Sequence, residues 1–412
     1  MQRDAFFGWR VVWGAFVLAV LGWGIGFYGP PIYLHTLVER NGWPVSLVSA
    51  AVTVHFLAGA LVVANLPRLY RRFGTPAVTK AGAVAAGFGV CGWAWAEAPW
   101  QLFAATLLSG PGWVTMSAAA INAILAPWFE RKRPVALAMA YNGASIGGVV
   151  FSPLWVTAIG HLGFGTAALL VAIVTAAVVW CLADHLFAKT PAAMGLLPDG
   201  VAAGDTNQPV APQSSISPLP RSLLWRDWRF LTLAAGMALG LFAQIGLLAH
   251  LFSFLVPPLG AQLAGLAMAV ATGAAIAGRM LGGWVVTLGA DRRLVAAGSY
   301  GVQIVASLLL MLAAGENTTL LLLGALLFGS GIGNATSLPP LIAQVEFNSA
   351  DVARVVALIV AMAQAAFAFA PVVFGIVRDL SSSLGTTSGA LLFVAAAVIQ
   401  AIAAVCFLAG RR

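Results

Sequence analysis

Runs of mostly apolar residues, each long enough to cross a bilayer, recur along the whole 412-residue chain. A hydrocarbon core of about 30 Å takes roughly 20 helical residues to span. Twelve such runs can be placed: Trp9–Leu34, Val45–Leu66, Val78–Ala98, Leu102–Phe129, Val135–Ile159, Thr166–Leu186, Phe230–Pro257, Leu263–Leu288, Leu294–Ala314, Thr318–Ala343, Val355–Val377 and Gly389–Ala409. In lipid every backbone N–H and C=O must find its partner within the protein, so runs of this length are helices. Only 8% of the chain is charged, against about 25% in soluble domains. That scarcity excludes a soluble enzyme, a disordered scaffold and a nucleic-acid-binding module. The expected fold class is an all-α integral membrane protein with twelve transmembrane helices in two six-helix parallel repeats.

The formal charge of +8 is no nucleic-acid footprint, because the basic residues sit in short loops between apolar runs. With both termini inside, those loops and the termini hold every Lys and Arg except Arg40, Arg378 and Arg279. This bias predicts cytoplasmic termini and a multi-pass protein of a bacterial inner membrane. The N-terminal Met1-Gln-Arg-Asp resembles a signal-peptide flank, but the apolar stretch behind it is too long, and it reads as the first span. Cys91, Cys181 and Cys406 all lie in apolar runs without pairing or metal-ligand spacing, so they read as small buried hydrophobes. No metal, cofactor or catalytic constellation is expected.

One long polar interruption, rich in Pro, Gly, Ser and Asp and including Gln208–Pro220, divides the chain. Its composition predicts a flexible cytoplasmic connector over residues 189–228, with six-helix halves at 1–188 and 229–412. The halves echo each other. Arg133-Pro-Val-Ala-Leu-Ala-Met-Ala leads into a span ending at Pro153, and Arg354-Val-Val-Ala-Leu-Ile-Val-Ala into one containing Pro371. Parallel six-span repeats point to a transporter with its substrate site at the midplane.

Several motifs carry a family likeness. Asn41-Gly-Trp-Pro-Val-Ser46 opens the second span, Tyr70-Arg-Arg-Phe-Gly74 follows it, and Gly110-Pro-Gly112 lies in the fourth. Trp128-Phe-Glu-Arg-Lys-Arg-Pro-Val-Ala-Leu137 leads into Asn142-Gly-Ala-Ser-Ile-Gly-Gly148. Over its whole length the chain resembles the major facilitator superfamily, and more narrowly its monocarboxylate and oxalate–formate branch. It departs from the superfamily's inner-loop signature. Pro67 and Arg71 stand at the usual Gly and Asp places, and Thr287 stands at the Asp place of the second half. Two drug-antiporter features are also missing: Leu102–Phe129 has no Arg, and no Gly precedes Pro153.

Arg279 is the only charged side chain deep in a span, and all 13 acidic residues lie in loops or at span ends. A cation at that depth costs at least ~2.5–3.5 kcal/mol unless it faces a cavity or a counter-charge. A guanidinium matches a carboxylate bidentately, so an anionic substrate is one candidate partner. The alternative is a snorkelling or helix-packing Arg. In the resembling branch an Arg at this place binds the substrate carboxylate, often with an acid one turn earlier. Here that place is Ala275, and the eleventh span offers only neutral Gln364. One cation implies one carboxylate.

His55 and His250 are candidate proton carriers, since imidazole titrates near neutral pH. The bland reading for each is a neutral ring bonded to a backbone carbonyl. Tyr28, flanked by Gly26, Gly29 and Pro30-Pro31, is a candidate cavity wall where the helix is loosened. Asn122, Tyr141, Asn142 and Asn334 complete the candidates, each read first as hydrogen-bonding glue between helices and second as a ligand contact. The glycines of the third and tenth spans, among them Gly82, Gly89, Gly329 and Gly333, are read as faces of close helix approach.

The expectation is a monomeric secondary transporter that moves a small organic monocarboxylate, with a proton, by rocker-switch alternating access. The first rival is a superfamily transporter for a siderophore, sugar derivative or drug, with Arg279 structural. The second is a non-transporting membrane sensor on the same scaffold.

Overall fold

The computed structural model describes residues 6–200, 221–313, 316–383 and 389–411, and all their regular structure is helical. In chain order the helices are α1 Gly8–Gly26, α2 Gly29–Asn41, α3 Val45–Phe73, α4 Thr75–Trp95, α5 Pro99–Val114, α6 Ala118–Leu125 and α7 Arg133–Leu182. They continue with α8 Arg221–Leu224, α9 Trp228–Thr287, α10 Arg292–Leu312, α11 Thr318–Glu346, α12 Ser349–Ala368, α13 Ala370–Ser383 and α14 Ala390–Ala409.

Among the described residues, nine helical stretches are long and apolar enough to cross a membrane. Two of them are too long for one crossing. The 60 residues of α9 would reach about 90 Å at 1.5 Å per residue, three times the hydrocarbon thickness. It breaks at Gly260 (φ 75°), and α7 breaks at Gly163 (φ 77°). Both glycines take a left-handed conformation that a side chain would strain. Each of these rods therefore holds two spans. The fourth span, split into α5 and α6, completes the twelve.

The interruptions have local causes. Gly26, Gly29 and Pro30-Pro31 part α1 from α2, where the Tyr28 N–H reaches back to Trp23 O at 2.9 Å. In the fourth span an unbroken helix over Leu102–Phe129 was expected. Instead the Thr115 and Ser117 hydroxyls bond back to the carbonyls of Gly112 and Val114, at 2.8 and 2.9 Å, just beyond Pro111. Such back-bonds compete with the helical ladder. The eleventh span parts at Phe369, before Pro371, and then runs on to Ser383, six residues past the expected Val377.

Outward-facing side chains confirm the solvent. Leu61, Phe88, Trp100 and Met280 are each at least 68% exposed, a surface suited to lipid and not to water. Inside, helices meet at glycines. A Cβ on Gly278 would lie 1.8 Å from Ser330 O, and one on Gly329 or Gly333 would lie 2.1 Å from Ala271 O or Ala275 O. These residues make the crossing of the eighth and tenth spans a backbone-to-backbone contact.

The chain forms two compact units. The first comprises Met1–Thr36 and Val54–Ala211, the second Leu37–Thr53 and Pro212–Arg412. The start of the second span thus belongs with the second unit. Half of the expected connector, residues 201–220 including Gln208–Pro220, lies outside the described residues. Its described beginning is anchored in the first unit, where the Asp199 carboxylate accepts the backbone N–H groups of Glu130, Arg131 and Lys132 at 3.3, 2.8 and 3.2 Å. In the second unit Arg293 binds Glu346 bidentately at 2.6 and 2.7 Å. It also donates to Arg229 O, Thr232 Oγ1 and Phe407 O, tying α9, α10, α11 and α14 together.

Candidate substrate and proton sites

Arg279 lies half-buried in α9, at the glycine crossing with α11. Its Nε–H donates to Gly333 O at 3.2 Å. The bond is answered from the other helix, because Asn334 Nδ2 donates to Gly278 O at 3.2 Å and to Ser299 Oγ at 2.9 Å. Arg279 and Asn334, candidates from different spans, are therefore neighbours held by a reciprocal pair of bonds. Pinning Nε fixes the plane of the guanidinium, as oriented anion recognition requires. Asn334 Oδ1 is buried with no hydrogen-bond partner among the described residues.

Asn122 and Tyr141 are also brought together. Arg133 donates to Asn122 Oδ1 at 3.0 Å, Asn122 Nδ2 to the Tyr141 hydroxyl at 2.8 Å, and that hydroxyl to Ala118 O at 3.2 Å. This directed chain joins α6 to the first turns of α7, and Arg133 was not anticipated in it. Asn142, one residue on, is exposed, as is Gln364 on α12. Tyr28 lies half-buried in the α1–α2 break, its ring edge-on to Phe27 at 5.1 Å.

The two histidines differ. His55 is buried, with Nε2 2.9 Å from Gly26 O and Nδ1 2.8 Å from Ser109 Oγ. A carbonyl only accepts, so Nε2 carries the proton and Nδ1 takes the serine hydroxyl's hydrogen. Ser109 Oγ in turn accepts Trp93 Nε1–H at 3.2 Å. Every polar atom of this chain is used, and its last bond caps a carbonyl left over where α1 ends. Ser109 and Trp93 escaped the sequence reading, although Ser109 directly precedes the Gly110-Pro-Gly112 motif. The cavity beside His55, lined also by Tyr33, Trp93, Ser109, Trp113 and Met116, measures about 10 Å³. That is about one water molecule, too small for an organic solute.

His250 is fully buried in α9, with Nε2 3.1 Å from Pro371 O. The same acceptor logic puts its proton on Nε2. Its Nδ1 lone pair has no partner among the described residues. The neighbouring Ser253 hydroxyl meets Arg378 Nη1 and donates to His250 O. Arg378 was expected in an outer loop. It belongs to α13 because the eleventh span is longer than its apolar run.

Tyr28, His55, Asn122, Tyr141 and Asn142 belong to the first unit, and His250, Arg279, Asn334 and Gln364 to the second. No group of His, Cys, Asp and Glu among the described residues is arranged to hold a metal ion.

The profile of the Major Facilitator Superfamily matches residues 12–371. The chain belongs to that superfamily. Its solved structures supply near neighbours in fold. The crystal structure of the nucleoside transporter NupG superposes with a TM-score of 0.76 at 14% identity, covering 98% of this chain and 99% of that one. A mutant form of NupG gives 0.75 at 15% identity, over 98% and 100%. A bacterial homologue of the human lysosomal transporter Spinster, in an inward-facing and occupied conformation, gives 0.68 at 15% identity, over 99% and 97%. At such identities the likeness shows the fold alone. No curated protein sequence matches the chain. The protein is a multi-pass membrane transporter of the superfamily, with twelve spans in two repeats.

Proposed function

We propose that this transporter moves a small organic monocarboxylate together with a proton, and that Arg279 holds the carboxylate. The observation that carries the reading is a guanidinium in the eighth span with its Nε bonded to Gly333 O. Such a group is permanently charged and set in one plane, the geometry a carboxylate matches with two parallel hydrogen bonds. The single deep cation favours one carboxylate over two. Tyr28 and Asn142 would line the solute's path, with Asn122, Tyr141, Asn334 and Gln364 as supporting polar groups. His55 or His250 would carry the proton. The basic loops would face the cytoplasm of a bacterial cell, with the chain acting as a monomer.

The Arg279–Gly333 bond also favours a second reading, in which Arg279 only packs the eighth span against the tenth and the solute is uncharged, a nucleoside or sugar derivative. Purified protein in liposomes separates the two. The first reading expects uptake of radiolabelled lactate driven by an imposed pH gradient. Arg279→Ala should abolish that uptake, and Arg279→Lys should weaken it at least tenfold. Carboxylate uptake that survives Arg279→Ala would remove the anchor role, and a parent protein that takes up a labelled nucleoside but no lactate would favour the second reading.

A further inference from the structure

The second span begins in the second unit, and its first nine residues are docked on α13 by a stripe of small polar groups. The Ser46 N–H donates to Asp379 Oδ2 at 3.0 Å. Three residues on, Ser49 fills the space over Gly375, where a Cβ would lie 2.6 Å from the serine hydroxyl. Four residues further, Thr53 Oγ1 accepts the Val372 N–H at 3.3 Å. The pairs 46/379, 49/375 and 53/372 run antiparallel at helical spacing. Both hydrogen bonds use N–H groups of a first helical turn, which have no acceptor of their own. Asp379 also places its carboxylate at the positive end of α3.

His250 acts on this clasp through one peptide group. The Pro371–Val372 peptide gives its C=O to His250 Nε2–H and its N–H to Thr53. Seven residues along α13 stand Arg378, beside Ser253, and Asp379, on Ser46. These two are the charges that act on His250. The docked stretch Val45–Thr53 and α14 bring no charged side chain, and Glu39 and Arg40 on α2 are the nearest in sequence before the stretch.

We propose that His250 Nδ1 is a proton-binding site and that its occupancy releases the clasp between α3 and α13. Nδ1 takes the proton without breaking a bond, whereas His55 would have to give up its hydrogen bond from Ser109. The imidazolium adds a second cation to a cluster holding one acid. Polarisation of the shared peptide strengthens its hydrogen bonds by only about 10–30%, so the full charge decides the direction. It competes with the α3 N-terminus for Asp379 and repels Arg378, and Ser46 loses its anchor.

The test needs no substrate, so its failure is separable from that of the carboxylate reading. Ser49→Cys is placed in a Cys181→Ser, Cys406→Ser background and reconstituted in nanodiscs, and its reaction with a membrane-impermeant maleimide is timed from about pH 8 to about pH 5, each rate being divided by that of a free model thiol at the same pH because only the thiolate reacts. Labelling should accelerate roughly three- to tenfold at the acid end, the scale of losing a carboxylate at a helix N-terminus. Asp379→Asn should label fast at every pH. His250→Gln, which keeps an N–H for Pro371 O, should label slowly at every pH. Labelling that ignores pH, slows in acid, or keeps its profile in His250→Gln overturns the proposal. A ¹⁵N-histidine NMR titration of the unsubstituted protein stands in if a variant fails to fold. His250 should show an Nε2–H tautomer that gains its Nδ1 proton over the same pH range, and a ring that stays neutral throughout overturns it.

Discussion

Replacing Arg293 should damage the second unit more than replacing any other basic residue on its loop side. The side chain is 2% exposed and its partner Glu346 18% exposed. A guanidinium has five N–H donors. Those of Arg293 reach Glu346 Oε1 and Oε2, Arg229 O, Thr232 Oγ1 and Phe407 O, at 2.6 to 3.4 Å. Arg293→Ala leaves an unpaired carboxylate and orphaned carbonyls, a loss of about 3–5 kcal/mol. Arg293→Lys keeps the charge but offers three donors without the planar fork, and two lost hydrogen bonds come to about 1–3 kcal/mol. The double replacement Arg293→Met with Glu346→Leu removes both charges together and should recover much of the loss, leaving the stranded Arg229 and Phe407 carbonyls at a cost of about 1–3 kcal/mol. Unfolding free energies from denaturant titration in mixed micelles, read by tryptophan fluorescence, complete the cycle. A loss below about 1 kcal/mol in Arg293→Ala, or a double variant as unstable as the single one, would refute the assignment of the pair as a buried, fully satisfied knot.

Three further outcomes rest on the same geometry. Gly333→Val places its side chain where a Cβ already lies 2.1 Å from Ala275 O. It should separate the eighth and tenth spans and cost several kcal/mol, about 3 or more, whereas Gly283→Val, where a Cβ meets nothing within 4 Å, should stay near neutral in the same denaturant titration. His55→Phe keeps an aromatic ring but strands Gly26 O and the Ser109 hydroxyl, and should lower stability by about 2–4 kcal/mol; a neutral result would show that the chain through Trp93 does not hold the α1–α2 break. At Asp291, burial pushes the carboxyl up. Hydrogen bonds from Arg411 and from the Leu294 and Arg293 N–H groups outweigh it and hold the carboxyl below the ordinary value. A depressed carboxyl stabilises the fold above its unfolded pKa and stops doing so as pH falls through the folded one. Acid below the ordinary carboxylate range should therefore loosen the start of α10, and the protection of its amides, measured as exchange relative to the unstructured rate at each pH, should stay unchanged from neutral pH down to that range.

The spans were legible because lipid imposes one rule on every backbone group, and only long apolar helices satisfy it. The close helix crossings were legible too. Gly329 and Gly333, singled out as packing residues, meet the carbonyls of Ala271 and Ala275. Hydropathy gave less where a polar side chain decides the backbone. Thr115 and Ser117 end α5 by bonding carbonyls three residues back, yet they read as minor interruptions of an apolar run. The eleventh span outlasts its apolar stretch because Arg378 and Asp379 find partners in Ser253 and the Ser46 N–H, 125 and 333 residues away.

Distance along the chain is also what separates the two histidines. In the sequence His55 and His250 are equivalent, each a lone imidazole in an apolar run. Their difference lies in a hydroxyl 54 residues from the first and in the missing donor for Nδ1 of the second. What distinguishes them is the work of protonation. At His55 the new proton must evict the Ser109 hydrogen, which then has to find another acceptor. At His250 it enters an unused lone pair, beside an acid that already serves a second helix. The link from base to acid runs through one helix: His250 is bonded to Pro371 O at the start of α13, and Asp379 of the same helix holds the Ser46 N–H.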